Sequence, residues 1–353
     1  MATRQFGTAI IGYGGMGSQH GRHLRKLEQV SWIGAYDIDP ARLAAAEEQG
    51  IHGYTSLEEC LNDSRVEIVV IATPNHHHEE LAIAAMKAGK HVICEKPVTN
   101  NSEELQRILD VQQQTGKVFV VGQNRRWDED YLVMKKLYDE KIVGEVFHVE
   151  SKVHGSRGIP GDWRGKKEYG GGMMLDWGVH LLDRILLMIP EKVKEVYCQF
   201  THITNAEVDD GFRLSLTFES GRTALLEVGT HHFIKNPLWY MNGTTGTAVI
   251  EDWSMAGKIV RLSESASGSH DAKPIVAGAG LTKTMAPRVN DQNIIEEPIP
   301  RVQTDILDFY RNVFDAIDGK VEIIVKNSEV MRCMKLMEAA FKSVETKQVV
   351  YFE

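Results

Sequence analysis

Cysteine and proline are scarce in this chain, with four Cys and 10 Pro among 353 residues. Cys60, Cys94, Cys198 and Cys333 stand far apart, forming neither a CxxC pair nor the dense spacing of a disulfide framework. Such usage suits a reducing compartment. A plain membrane span is also missing: the longest apolar stretch, Met173 to Ile189, is interrupted by Asp176, His180, Asp183 and Arg184, whereas a spanning helix needs about 20 mostly apolar residues. Nor is there an excess of positive charge. The formal charge of -9 repels phosphate backbones and anionic headgroups, and the basic pair Lys166-Lys167 is too small to offset it. Nucleic acid and membrane are therefore not expected as partners. The first residues lack the pattern of a secretory signal, so the expected location is the cytoplasm.

What is present is an ordinary globular composition, 42% hydrophobic and 25% charged, over a length that favours two domains. From Phe6 to Val121, apolar runs at Ala9–Ile11, Trp32–Tyr36, Ile68–Ala72, His91–Cys94 and Val118–Val121 alternate with amphipathic segments. That rhythm predicts βαβ units around a parallel sheet. Asp39 before Pro40 marks one helix start, and Ser102 before Glu103-Glu104 marks another. Beyond Gln123 the pattern changes. A helix is expected at Tyr131–Lys141, a strand at Val146–Val153, a loop rich in Gly and aromatic residues over 155–172, and a long helix from Met173. Runs at Phe212–Phe218, Ala224–Val228 and Thr247–Ile250 then suggest a mainly antiparallel sheet. Residues 263–301 show no periodicity and read as a surface excursion. Helices at Asp305–Ile317 and Ser328–Thr346 and a strand at Val349–Phe352 follow. The expected fold class is α/β: a doubly wound parallel sheet over residues 1–123, then an α+β domain on a large, mainly antiparallel open sheet over residues 124–353.

Gly12, Gly14 and Gly17 form GxGxxG directly after the first strand and at the mouth of a helix. There the backbone must turn tightly and approach a pyrophosphate, which is the dinucleotide fingerprint of a Rossmann domain. Gly15 and Met16 lie within the same turn. Asp37, about twenty residues on at the end of the second strand, can accept hydrogen bonds from a ribose and repel the extra phosphate of NADP. Its competing role is helix capping, but Asp39 holds the better position for that. NAD is thus favoured over NADP, although Arg42 on the next helix could meet a phosphate.

Two strand ends carry the polar groups expected to face the cofactor crevice: Thr73-Pro74-Asn75 with the histidines that follow, and Glu95-Lys96-Pro97. A lysine there can neutralise an alkoxide developing on a secondary alcohol; on a surface it would be only a solvated charge. Asp176 and His180 are four apart on the expected long helix, so both project from one face. They read either as an acid-oriented histidine suited to taking a hydroxyl proton or as a surface ion pair. His76, His77 and His78 point in different directions and have no matching ligand set, so no metal is expected.

Taken together, these residues resemble the glucose-fructose oxidoreductase and inositol dehydrogenase group, Gfo/Idh/MocA. The resemblance spans the chain and rests on Gly12–Gly17, the TPN stretch Thr73–Asn75 followed by His78, the EKP triplet Glu95–Pro97, NRRW at Asn124–Trp127, and GGGMMLDWGVH at Gly170–His180. It implies a catalytic trio of Lys96, Asp176 and His180, with His180 as proton acceptor, and a nicotinamide side lined by Asn75, Glu95 and Asn124. The candidate cofactor set is then Gly12, Gly14, Gly15, Met16, Gly17, Asp37, Thr73, Pro74, Asn75, His78, Glu95, Lys96 and Asn124. Arg126, Arg157, Trp163 and Arg164 join the trio as candidates for gripping substrate, or else stand at a domain interface. The resemblance also implies a proline that is often cis after Lys96, and a sheet face that forms homodimers or homotetramers. The substrate implied is a sugar, glycoside or cyclic polyol, with an inositol or the 3-hydroxyl of a glucoside in front. The sequence departs from the pattern at Trp127, where phenylalanine is expected, and in the 263–301 excursion. Two other activities stay open: a non-catalytic dinucleotide-binding regulator, and a lyase or glycosidase that oxidises its substrate only transiently.

Overall fold

Strands buried on both faces read as unbroken apolar runs, and the first sheet is built from these. It contains β1 (Phe6–Ile11), β2 (Val30–Tyr36), β3 (His52–Gly53), β4 (Ile68–Ile71), β5 (His91–Cys94) and β6 (Phe119–Val121), and every residue of β1, β4 and β6 is buried. The computed structural model describes residues 4–263, 272–288 and 293–352. The strands pair in parallel in the order β3-β2-β1-β4-β5-β6. Helices α1 (Gly15–Leu24), α2 (Pro40–Glu47), α3 (Leu57–Asn62), α4 (His78–Lys87) and α5 (Ser102–Thr115) connect them. The order reverses between β1 and β4, which opens a crevice beyond their carboxyl ends. Asp39 caps α2 through the Ala41 N–H as expected. The cap of α5 is Asn101, not Ser102: Asn101 accepts from the Glu104 N–H, while the Ser102 hydroxyl bonds Glu338 on a distant helix.

The second sheet begins after α6 (Glu129–Asp139). It comprises β7 (Val146–His154), β8 (Val193–Thr201), β9 (Gly211–Phe218), β10 (Thr223–Gly229), β11 (Trp239–Gly243), β12 (Gly246–Ile250) and β13 (Gly257–Leu262), closed by β16 and β17 below. Helix α7 (Val179–Met188) lies between β7 and β8 in sequence. Every neighbouring pair is antiparallel except β7 with β10. Period-two alternation puts Val149, Leu226, Leu214 and Val196 into the core. The opposite face carries half-buried or exposed groups such as Glu150, Leu225, Ser215 and Tyr197.

Part of the 263–301 excursion is ordered structure rather than plain loop. Strands β14 (Ile275–Ala277) and β15 (Gly280–Thr282) make a hairpin, and β16 (Ile294–Pro298) extends the large sheet by pairing with β13. Residues 264–271 and 289–292 of that excursion lie outside the described residues. Helices α8 (Leu307–Ile317) and α9 (Asn327–Thr346) then return to the first sheet before β17 (Val350–Tyr351). Phe314 of α8 stacks on Phe6 of β1 at 5.3 Å, and Asn327 of α9 donates to the Phe119 carbonyl. Two helices of the 124–353 segment thus cover the dinucleotide-type sheet, and the two halves share one continuous core.

Helix α7 runs through the middle of this core, buried on all sides, and its charged residues are paired there. Asp183 takes a bidentate grip from Arg126, at 2.6 and 2.8 Å, and Arg126 also reaches Glu329 on α9 at 2.7 Å. Arg184 faces Asp130 at 3.3 Å. Arg126, expected at the substrate, is therefore a buried tie between the segment after β6 and two helices. Removing one partner of such a pair strands the other charge, at about 3–5 kcal/mol, whereas replacing both by apolar groups costs far less. Arg126→Met alone should thus lose about that much in urea unfolding, and Arg126→Met with Asp183→Leu should recover most of it. Equal losses in the two proteins would show that the ion pair is not what matters there.

Candidate active site

The turn from β1 into α1 is built for close approach. A side chain at Gly17 would stand 1.9 Å from the Gly12 carbonyl, so only glycine lets the helix seat against the strand end. Gly14, the N-cap of α1, offers no side-chain cap, which leaves first-turn N–H groups for an anion. A Cβ at Gly15 would meet nothing within 4 Å, so the outer side of the turn is open space. Asp37, at the end of β2, accepts from the Tyr13 N–H at 2.7 Å and the Asp39 N–H at 2.9 Å, with the Arg42 guanidinium at 3.4 Å. Its carboxylate stands at the crevice rim and also braces the glycine turn.

Two chambers follow the crevice. One of about 420 Å³ is lined by Gly12, Asp37, Ile38, Arg42 and Leu57. The next, about 620 Å³, is lined by Gly14, Gly15, Met16, Asn75, Glu95, Lys96, Trp163, Arg164 and Asp176. Arg42, Thr73 and Pro74 line both. The row suits an extended dinucleotide.

The catalytic candidates come from both halves of the chain. Lys96 follows β5, and its peptide bond to Pro97 is cis. Its Nζ donates to Asp176 Oδ1 and to the Asp176 carbonyl, each at 3.0 Å. Arg164 approaches the other carboxylate oxygen of Asp176 at 3.4 Å. Burial acts to raise the Asp176 carboxyl, but the charges of Lys96 and Arg164 outweigh it and hold the group below its ordinary value. Asp176 does not orient His180, as the helical spacing suggested. A π-turn over Met174–Gly178 precedes α7, and its wider ring breaks the regular four-residue register, leaving the carboxylate with the two cations. His180 is buried, its Nδ1 has no hydrogen-bond partner, and burial together with the charges of Lys96, Arg125 and Arg184 lowers its pKa well below 6.5. Its ring is thereby held neutral, and it lines neither of the two chambers.

The remaining candidates divide between wall and scaffold. Asn75 lines the chamber while donating to the Gly170 carbonyl at 2.8 Å. Buried Glu95 pairs with His20 at 2.8 Å, and His20 in turn bonds the Tyr310 hydroxyl of α8. Asn124, expected on the nicotinamide side with Asn75 and Glu95, instead lines a separate outer chamber of about 760 Å³, its Oδ1 buried and without a hydrogen-bond partner. His78, expected at the cofactor, is fully buried, with its two ring nitrogens against the Thr73 and Pro97 carbonyls. It fastens two crevice loops together from behind. Arg157 is exposed and lines neither chamber.

Some residues at the site escaped the sequence reading. Arg125, adjacent to Arg126, lies in the wall of an outer chamber of about 760 Å³ together with Asp128, Trp177 and Trp253. The NRRW stretch offered two arginines with nothing to separate them. Trp253 sits in the β12–β13 turn, where no local signal marks it. Asp209, before β9, bonds the Met174 N–H at 2.7 Å through its carboxylate and the Met173 N–H through its carbonyl. It thereby fixes the start of the segment carrying Asp176 and His180. Gly172 is required at this contact: its φ is +105°, and a Cβ would stand 2.2 Å from Asp209 Oδ1.

Comparison with known proteins agrees with this architecture. Residues 6–123 match the model of an oxidoreductase family with an NAD-binding Rossmann fold, and residues 131–249 match the GFO/IDH/MocA C-terminal domain. A crystal structure of an NAD-binding protein from Listeria innocua superposes with a TM-score of 0.94 at 47% identity, covering 99% of each chain. The scyllo-inositol 2-dehydrogenase (NADP(+)) IolW of Bacillus subtilis is 28% identical over 98% of this chain and 95% of its own. The 2,7-anhydro-N-acetylneuraminate hydratase of Escherichia coli is 28% identical over 71% of this chain and 68% of its own. No helix among the described residues is long and apolar enough to cross a membrane.

Burial pushes the Asp209 carboxyl up to about 7. A carboxyl raised on folding contributes stability that is complete below its ordinary value near 4 and is lost as pH rises through 7. Asp209→Asn keeps the acceptor for the Met174 N–H and removes the titration. Between pH 5 and pH 8 the variant should therefore gain on the native protein by on the order of a few kcal/mol, read from urea unfolding at each pH. A difference that stays constant across this range would contradict the assignment.

Proposed function

We propose that this chain, which belongs to the GFO/IDH/MocA oxidoreductase family, is an NAD-dependent dehydrogenase interconverting a secondary alcohol and a ketone on a sugar, glycoside or cyclic polyol. The observation that carries this reading is the meeting of Lys96 and Asp176, 80 residues apart in sequence and joined at 3.0 Å, with the lysine charge felt at a buried neutral His180. The inositol dehydrogenase relative supports the substrate class. The glycine turn and crevice suit a nicotinamide dinucleotide, which when bound supplies the acceptor for the hydride of the carbinol carbon.

The residues of the chain handle the proton and the oxygen. His180 takes the hydroxyl proton, and its buried setting favours the neutral form that can do so. The Lys96 ammonium faces the same oxygen and stabilises the negative charge that develops on it. Asp176 holds that ammonium in place through its side chain and its carbonyl. Arg164, bound to Asp162 and Asp176, and the indole of Trp163 form the rim through which substrate enters. Asp37 favours NAD because its carboxylate opposes a ribose phosphate, although Arg42 beside it tempers that preference. We assign the protein to the cytoplasm, where its four free thiols remain reduced, and infer a homodimer or homotetramer through the open sheet face. A second reading has one specific support, the hydratase relative: the same groups could oxidise a substrate transiently and return its electrons within each cycle.

Incubation with NAD and a panel of inositols, sugars and glycosides, with keto products identified by mass, tests the dehydrogenase; product release without NADH accumulation would select the second reading instead. His180→Ala should lower kcat by about 10²–10⁴-fold while NADH binding, followed by fluorescence, stays within about twofold of the native protein. Unchanged turnover would remove His180 from the chemistry. Asp37→Asn, which keeps an acceptor but loses the charge, should move the NADP-to-NAD ratio of kcat/KM upward by about tenfold, and no change would mean that Asp37 serves only to brace the turn.

A further inference from the structure

The dehydrogenase reading accounts for the crevice and the inner chamber, but of the 760 Å³ outer chamber it uses only Asn124. The two chambers adjoin, since Gln19 lines both. Without counting the inner one, the outer chamber already falls within the size range of a complete small-molecule site, about 300–1,000 Å³. Its distinctive feature is a pair of indoles next to the proton acceptor. The Trp177 ring centroid lies 5.9 Å from that of His180 and 6.3 Å from that of Trp253, with the two indoles inclined by 33°. Arg125 covers Trp177 at 4.3 Å. Trp253, by contrast, is 53% exposed, so a broad apolar ring with a polar N–H faces the cleft.

The carboxylates and the arginine that line this chamber are already paired. Arg125 pairs with Asp128 at 2.9 Å, Glu129 with Arg301 at 2.7 Å, Asp305 with Arg311 at 2.7 Å and Asp130 with Arg184 at 3.3 Å. This leaves no unmatched cation among these groups to hold a phosphate or carboxylate. The chamber suits a neutral ring with a flat apolar face.

We propose that the outer chamber is an aglycone subsite: the second ring of a neutral glycoside stacks on Trp253 at the Trp177 side of the cleft while the first ring is oxidised beside Lys96 and His180. This deepens, and rests on, the dehydrogenase reading by choosing glycosides over free inositols and sugar phosphates. An aromatic aglycone and a second sugar share the required chemistry, because each presents an apolar ring face.

The test uses the full chain with methyl glucosides, phenyl glucosides and glucose disaccharides of both anomeric configurations. In the native protein kcat/KM for a two-ring substrate should exceed that for the methyl glucoside by about tenfold, the scale of one ring stacking contact. Trp253→Ala should collapse that ratio towards one, and Trp253→Phe should restore much of it; whether the phenyl or the disaccharide arm responds more identifies the aglycone. A ratio unaffected by Trp253→Ala overturns the subsite and leaves the dehydrogenase standing. If no substrate is oxidised, the dehydrogenase reading fails, and the subsite is decided separately by calorimetric titration of phenyl glucoside. The native protein should then bind about tenfold more tightly than Trp253→Ala, and equal or absent binding overturns the proposal.

Discussion

The ion pair between Lys96 and Asp176 joins what would otherwise be two half-sites. Lys96 belongs to the end of a parallel strand and Asp176 to a π-turn in the second half of the chain, and the ammonium is bound by both the side chain and the carbonyl of the same residue. At 15% and 16% side-chain exposure the pair is shielded enough for its charges to matter beyond the contact. The same lysine charge, together with burial, keeps His180 neutral. One interaction thus fixes the position of the lysine, while burial first and the lysine charge second keep the nearby imidazole neutral.

Much of the surrounding structure serves to keep that pair in register. Behind Lys96, Glu95 is held through His20 to Tyr310 on α8, and His78 ties the Thr73 and Pro97 loops. Behind Asp176, Asp209 fixes the entry to the π-turn, and Arg126 with Asp183 anchors α7. Most of these groups are buried and ionisable, so each costs desolvation that only a well-placed partner offsets. Sites held to sub-ångström tolerance need such support beyond the reacting groups themselves.

The two chambers have different electrostatic characters. The crevice carries open backbone N–H groups and a rim carboxylate, features that recognise phosphate and ribose by position and charge. The outer chamber has its carboxylates and arginine paired and presents indole surface, so recognition there depends on shape and apolar contact.

The parallel sheet, the glycine turn and the polar strand ends were legible in the residues alone, because strand periodicity, a helix start and a GxGxxG turn are local matters written within a few residues. It also identified Lys96, Asp176 and His180 as chemically suited groups. Their relations came from packing across the chain. Asp176 turned to Lys96 rather than to His180 because one π-turn altered the helical register. Arg126 went to the core and Arg125 to the cleft because of where Asp183 and Asp128 lie. Asp209 and Trp253 joined the site from distant strands and turns. Partners separated by scores of residues leave no local pattern, since their pairing depends on how sheets and helices pack.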